Sequence, residues 1–160
     1  MKFVDTLVVF REVPDEITLA INISGCPVKC PGCHSSYLAQ VIGTPLDKKS
    51  LRELIESNPG ISCVSFMGGD SDPMFIRELA LWVKDNYAGM KTSWYSGRDI
   101  THAKPILDAL DYVKVGPYID EFGPLDSPVT NQRFYAVKHA EDGQESTLTD
   151  LTFRFRKVII

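Results

Sequence analysis

The chain has 160 residues and a formal net charge of −4, with 44% hydrophobic and 24% charged residues, the balance of one ordinary globular domain that can bury a core. This argues against a nucleic-acid binder, because no basic run or stripe stands out, and against a membrane span, because no apolar run approaches the ~20 residues one needs. Four cysteines behind an N-terminus, Met1-Lys-Phe-Val-Asp5, without the apolar core of a signal peptide predict a reducing, cytoplasmic location.

Residues 4–10 and 17–23 are apolar runs around a polar stretch and predict a hairpin, or a lead-in strand followed by the first barrel strand. The second run becomes mostly apolar, as in a strand covered on both sides. Asp47 is placed to cap a helix through Leu51, Leu54 and Ile55, stopped by Asn58-Pro-Gly60. Residues 61–66 read as a buried strand. Asp72-Pro73 opens a helix with Ile76, Leu79, Ala80 and Val83 on one side. Residues 92–95 form the next strand, 105–110 a short helix and 112–115 a further strand.

This alternation of strand and helix implies parallel pairing with right-handed crossovers, with too few units for a closed eight-stranded barrel. The expected α/β fold is a truncated, open partial (β/α) barrel with a C-terminal β extension. Its core spans about 17–118, in one domain over 1–160. Residues 116–131 have no periodic pattern, and a long unstructured loop in a small domain is usually functional or mobile. Residues 133–139 and 151–159 then read as two strands joined by a polar turn over 140–146, with Phe153-Arg-Phe-Arg156 alternating as an edge strand does.

The chemistry concentrates in Cys26-Pro-Val-Lys-Cys30-Pro-Gly-Cys33, directly after the strand at 17–23 and the turn pair Ser24-Gly25. A disulfide would leave one of the three thiols unpaired and close too short a loop to gain much chain entropy. Thiolates are soft donors that select zinc, copper(I) or iron–sulfur clusters. Structural zinc takes four protein ligands, and the fourth here is either His34 or a distant residue. Three cysteines on one loop fit a cube-shaped 4Fe-4S cluster with one iron left open. Cys63, inside an expected strand, reads as a buried free cysteine.

Cys-x3-Cys-x2-Cys after a strand resembles the motif of the radical S-adenosylmethionine (SAM) enzymes. Asn22-Ile-Ser-Gly-Cys26, Cys30-Pro-Gly-Cys33-His34, Met67-Gly-Gly-Asp70, Trp94-Tyr-Ser-Gly97 and Thr130-Asn-Gln-Arg133 follow the order of the activating proteins of anaerobic ribonucleoside-triphosphate reductase. The resemblance implies a radical SAM type of barrel, a 4Fe-4S cluster on Cys26, Cys30 and Cys33, and SAM bound to the open iron through its amino and carboxylate groups. It implies cleavage of SAM to a 5′-deoxyadenosyl radical, which takes a hydrogen atom from a backbone glycine of the reductase.

On this resemblance Gly68, Gly69 and Asp70 receive the SAM ammonium, the glycines admitting close backbone approach. Gly32 offers backbone to the adenine pocket. His34 stacks on the base, ligates metal or lies on the surface. Tyr95 and Ser96 line the SAM pocket, although Tyr95 and Trp94 equally suit a core. Arg133 pairs with the SAM carboxylate, docks the partner or is a surface arginine. The implied partners are the anaerobic reductase, met by residues 116–131 and the open barrel side, and a flavodoxin- or ferredoxin-like electron donor. Other readings remain: a radical SAM enzyme acting on a different glycyl-radical enzyme or on a small molecule, as in deazaguanine synthesis, and a zinc-stabilised interaction module.

Overall fold

Two apolar runs joined by a polar turn fold back on each other. β1 (Lys2–Val9) and β2 (Thr18–Ile23) pair antiparallel, with Val9 opposite Thr18 and Phe3 opposite Ile23. The computed structural model describes residues 1–140 and 145–156. β3 (Thr44–Pro45) adds to the outer edge of β1. α1 (Lys48–Glu56) opens on a reciprocal cap, the Ser50 amide donating to Asp47 at 2.8 Å and the Asp47 amide donating to the Ser50 hydroxyl at 2.9 Å. It buries Leu51 and Ile55.

β4 (Cys63–Met67) leads to α2 (Pro73–Asn86), which Asp72 caps through the Phe75 amide at 3.1 Å and which buries Ile76, Leu79, Ala80 and Val83. β5 (Lys91–Tyr95) leads to α3 (Ile100–Ala103), which continues as 3-10 turns over Lys104–Ala109. β6 (Tyr112–Val115), β7 (Arg133–Lys138) and β8 (Thr147–Asp150) complete the strands among the described residues.

The expected partial (β/α) barrel is corrected: the described strands form one mixed eight-stranded sheet, in the order β3-β1-β2-β4-β5-β6-β7-β8. β2, β4, β5 and β6 do pair in parallel, as the helical crossovers require. The hairpin β1–β2, the edge pair β1–β3, and the pairs β6–β7 and β7–β8 are antiparallel. Antiparallel additions on both flanks extend the sheet sideways and supply no further strand–helix units to curl it into a barrel.

The C-terminal strand is also corrected. The strand is Thr147–Asp150, and Thr152–Phe155 is a 3-10 turn. Asp150 accepts the Thr152 amide at 2.8 Å, the Thr152 hydroxyl accepts the Phe134 amide at 2.9 Å, and Phe155 packs on Phe134 with centroids 4.9 Å apart. Those contacts turn the chain inward, so the alternation of Phe153 and Phe155 marks an exposed and a packed side chain of a turn. The rest of the expected strand, and most of the polar turn before β8, lie outside the described residues.

Period-two alternation sorts the central strands into two faces. Leu19, Ile21, Val64, Phe66, Trp94 and Val113 meet α1, α2 and α3 in the main core. On the opposite face a smaller cluster joins Val13, Cys63 and Phe134 with Tyr95, Tyr112 and Leu125. Phe66 is fully buried in the main core, so Phe66→Ala is expected to cost about 3–5 kcal/mol in urea unfolding. A loss below about 1 kcal/mol would contradict this placement.

Candidate metal centre

β2 delivers the chain to the cysteine loop at the end of the sheet where all four parallel strands finish, the end at which ligands bind in parallel α/β folds. The loop is clamped at its base. The Ser24 hydroxyl donates to the Ile42 carbonyl at 2.6 Å and accepts the Ile42 amide at 3.2 Å. The Gly25 amide donates to Gln40 at 3.0 Å and the Cys26 amide to Leu38 at 2.9 Å. The returning strap passes so close to β1 that a Cβ at Gly43 would lie 2.1 Å from the Phe3 carbonyl oxygen, which leaves room only for glycine. Within the loop Lys29 holds a positive φ of 50°, a conformation that non-glycine residues adopt sparingly.

Cys26, Cys30 and Cys33 are free thiols, all half-buried, whereas Cys63 is fully buried. Burial, with the Glu16 charge second, pushes the Cys63 thiol well up. Iodoacetamide at neutral pH, applied to metal-free protein and read by mass spectrometry, is therefore expected to label the three loop cysteines and to reach Cys63 only on unfolding. Early labelling of Cys63 would contradict its burial.

The Gly68-Gly69-Asp70 turn caps β4. The Trp94 indole N–H donates to the Gly68 carbonyl at 2.7 Å, and the Gly68 amide donates to Tyr95 at 3.0 Å. Gly69, with φ of 91°, packs against α2, where a Cβ would lie 2.6 Å from Ile76. Asp70 is 4% exposed and turned inward: its carboxylate accepts the Ser96 hydroxyl and the Gly97 amide, the latter at 3.0 Å, with His102 Nε2 3.6 Å away. Trp94→Phe leaves the Gly68 carbonyl without that donor in a half-buried turn and is expected to cost about 1–3 kcal/mol by thermal or urea unfolding. An unchanged midpoint would show that the bond carries no stability.

The remaining expected residues separate. Ser96 holds Asp70, accepts the Arg98 amide at 3.0 Å and bonds through its own amide to Lys114. Tyr95 turns to the second cluster, where its hydroxyl donates to the Glu12 carbonyl and its ring meets Phe134 edge-on. Burial pushes its phenol well above the usual range. Tyr95 also lines a groove of about 770 Å³ beside Phe10, Leu125 and Phe155. Gly32 is exposed at the loop tip, 3.4 Å (measured from a Cβ built there) from the Tyr118 ring, and His34 is exposed. Arg133 is exposed and spent locally, donating to the Thr130 and Gln132 carbonyls at 2.7 Å and lying 3.9 Å from Asp150.

Two residues with no role expected from the sequence, Lys114 and His102, lie near Asp70. Among the described residues the buried, formally charged side chains are Asp70 and Lys114, and both lie beneath the cysteine loop. Gly97, whose amide Asp70 accepts, abuts the loop, since a Cβ there would lie 3.0 Å from Val28. Burial pushes the Lys114 ammonium down to about 8, and the charges of Cys30, Asp70 and Cys33 act to raise it. The available signal was a lysine in the otherwise apolar strand Tyr112-Val-Lys-Val115. His102, whose buried Nε2 makes no hydrogen bond and lies 3.6 Å from Asp70, carried no signal in the sequence.

Residues 17–131 match the family model described as 4Fe-4S single cluster domain. That span is more than two thirds of the chain, and the chain belongs to this family. Searches of the curated proteins and of the solved structures find no match. An iron–sulfur cluster is thus the group against which the residues must be judged. The donor set fits it: three unpaired thiols on one clamped loop. Among the described residues no three His, Cys, Asp or Glu side chains gather at one point suited to a single ion. A cube does not ask for that, because each thiolate binds a different iron. Among the described residues no helix is long and apolar enough to cross a membrane.

Proposed function

We propose that the chain is a radical SAM activating enzyme that holds a 4Fe-4S cluster on Cys26, Cys30 and Cys33 and generates a glycyl radical on anaerobic ribonucleoside-triphosphate reductase. The observation that carries this reading is the placement of three free thiols at the ends of four parallel strands, on a loop tied down by Ser24, Gly25 and Cys26. When bound, such a cluster with an open iron supplies one electron to the SAM sulfonium, giving methionine and a 5′-deoxyadenosyl radical that takes a hydrogen atom from a glycine Cα of the protein substrate.

The chain's own residues bind and orient. The clamp fixes the loop, so that cluster insertion meets a preformed base. Gly68 and Gly69 present backbone at the end of β4, while Asp70 holds Ser96 and Gly97 in place and through them supports the loop at Val28. Gly32 and His34 stand at the exposed tip, open to the nucleotide.

Residues 116–131 are the proposed docking surface for the reductase. Their exposed apolar side chains Ile119, Phe122 and Val129 suit a macromolecular partner, and Tyr118 and Asp120 approach the loop at Gly32. Arg133 braces this segment from below. A one-electron donor of the flavodoxin or ferredoxin kind, in a reducing cytoplasm, completes the scheme.

Anaerobic reconstitution followed by electron paramagnetic resonance tests it. Iron and sulfide in cluster proportion, a reduced signal that changes when SAM is added, and a glycyl doublet in the reductase are the expected results. Alanine at any one of Cys26, Cys30 or Cys33 is expected to lose the cluster or leave it inactive. Zinc without sulfide would sink the cluster, a signal indifferent to SAM would sink the open iron, and SAM cleavage with no glycyl signal in any reductase would sink the substrate.

A further inference from the structure

A lysine ammonium carries three N–H donors and is costly to bury without compensating charge. Lys114 is 9% exposed, and its Nζ donates one hydrogen bond, to the Gly116 carbonyl at 2.8 Å. No acceptor partners the other two donors among the described residues. Sheet register places Lys114 in a row with Asn22, Met67 and Tyr95 across the ends of the parallel strands, on the face away from the helices. The charges that act on it are those of Cys30, Asp70 and Cys33. Asp70 is already committed to Ser96 and Gly97, and Lys114 stands at the end of the sheet from which β2 passes into the cysteine loop.

We propose that Lys114 is a built-in counter-charge to the anionic centre on the cysteine loop, raising that centre's reduction potential and favouring its assembly. The inference rests on the cluster part of the proposed function and needs neither SAM nor the reductase. Each electron accepted from a one-electron donor adds negative charge to the centre. A fixed cation in a low-dielectric site stabilises the reduced form more than the oxidised one. Lys114 is thus a positioning and tuning residue, acting through the centre and touching no substrate.

The test uses the full chain reconstituted anaerobically as wild type, Lys114→Arg and Lys114→Met, without SAM. Iron and sulfide are counted, and the midpoint potential is read by redox titration with absorbance and paramagnetic resonance. Wild type and Lys114→Arg are expected to share a midpoint, with Lys114→Met shifted to a lower one. Loss of the cluster in Lys114→Met with retention in Lys114→Arg also supports the charge role.

An unchanged midpoint in Lys114→Met at equal iron content overturns the inference. So does a change of midpoint or loading in Lys114→Arg as large as in Lys114→Met, because it would assign Lys114 a role of shape. A wild-type chain that takes up no iron and sulfide would overturn the cluster reading itself. A loaded wild type with an unmoved variant overturns only the role of Lys114.

Discussion

A carboxylate withdrawn from water must find donors inside the protein or lose its charge, and Asp70 is such a carboxylate. It sits at the end of β4 and draws its donors from the end of β5, the Ser96 hydroxyl and the Gly97 amide. The Ser96 amide in turn reaches β6 at Lys114. The ends of three parallel strands are thereby tied at the level where the cysteine loop lies. Gly97 can approach Val28 of that loop because it lacks a side chain. A longer residue at position 97 would push the loop away, and removal of the Asp70 carboxylate would free the turn beneath it.

The sheet's two faces divide the work of stability and chemistry. The helix side is hydrocarbon, with Phe66, Trp94, Leu79 and Val83 fully or almost fully buried. The other side carries Thr18, Ser65, Ser93, Asn22 and Lys114 along the same strands. It is closed at one end by Val13, Phe134 and Phe155. Buried hydroxyls without partners at Thr18 and Ser93 would be a plain cost in a structural core. Position along the strand, odd or even, decides which role a residue takes.

Much of this was legible in the sequence because local rules governed it. The Asp47 and Asp72 caps, the four buried residues of α2, the buried Cys63 and the parallel run of central strands follow from periodicity and capping chemistry that act over a few residues. The mixed sheet was not legible, and a partial barrel was expected in its place, because curvature depends on how the flanking strands join. The antiparallel additions of β1, β3, β7 and β8 are choices of tertiary pairing. The C-terminal alternation misled for a similar reason: Thr152 and Asp150 form side-chain bonds that stop the strand. Asp70 stood out in the sequence at its Gly-Gly-Asp turn, but its inward orientation did not, because it depends on Ser96 arriving from another strand.

The charge layout of the site follows from the same logic of compensation. A cluster would hold Cys26, Cys30 and Cys33 as thiolates, and negative charge gathered on one loop favours a cation nearby. Solvent cannot answer the side of the loop that faces the sheet, where Lys114 lies at the end of β6. Its own burial disfavours its charge, and the charges of Cys30, Asp70 and Cys33 act in the opposite sense. A chain with net charge −4 that keeps one buried lysine at the foot of its cysteine loop has put positive charge where hydrophobic packing would not have chosen it.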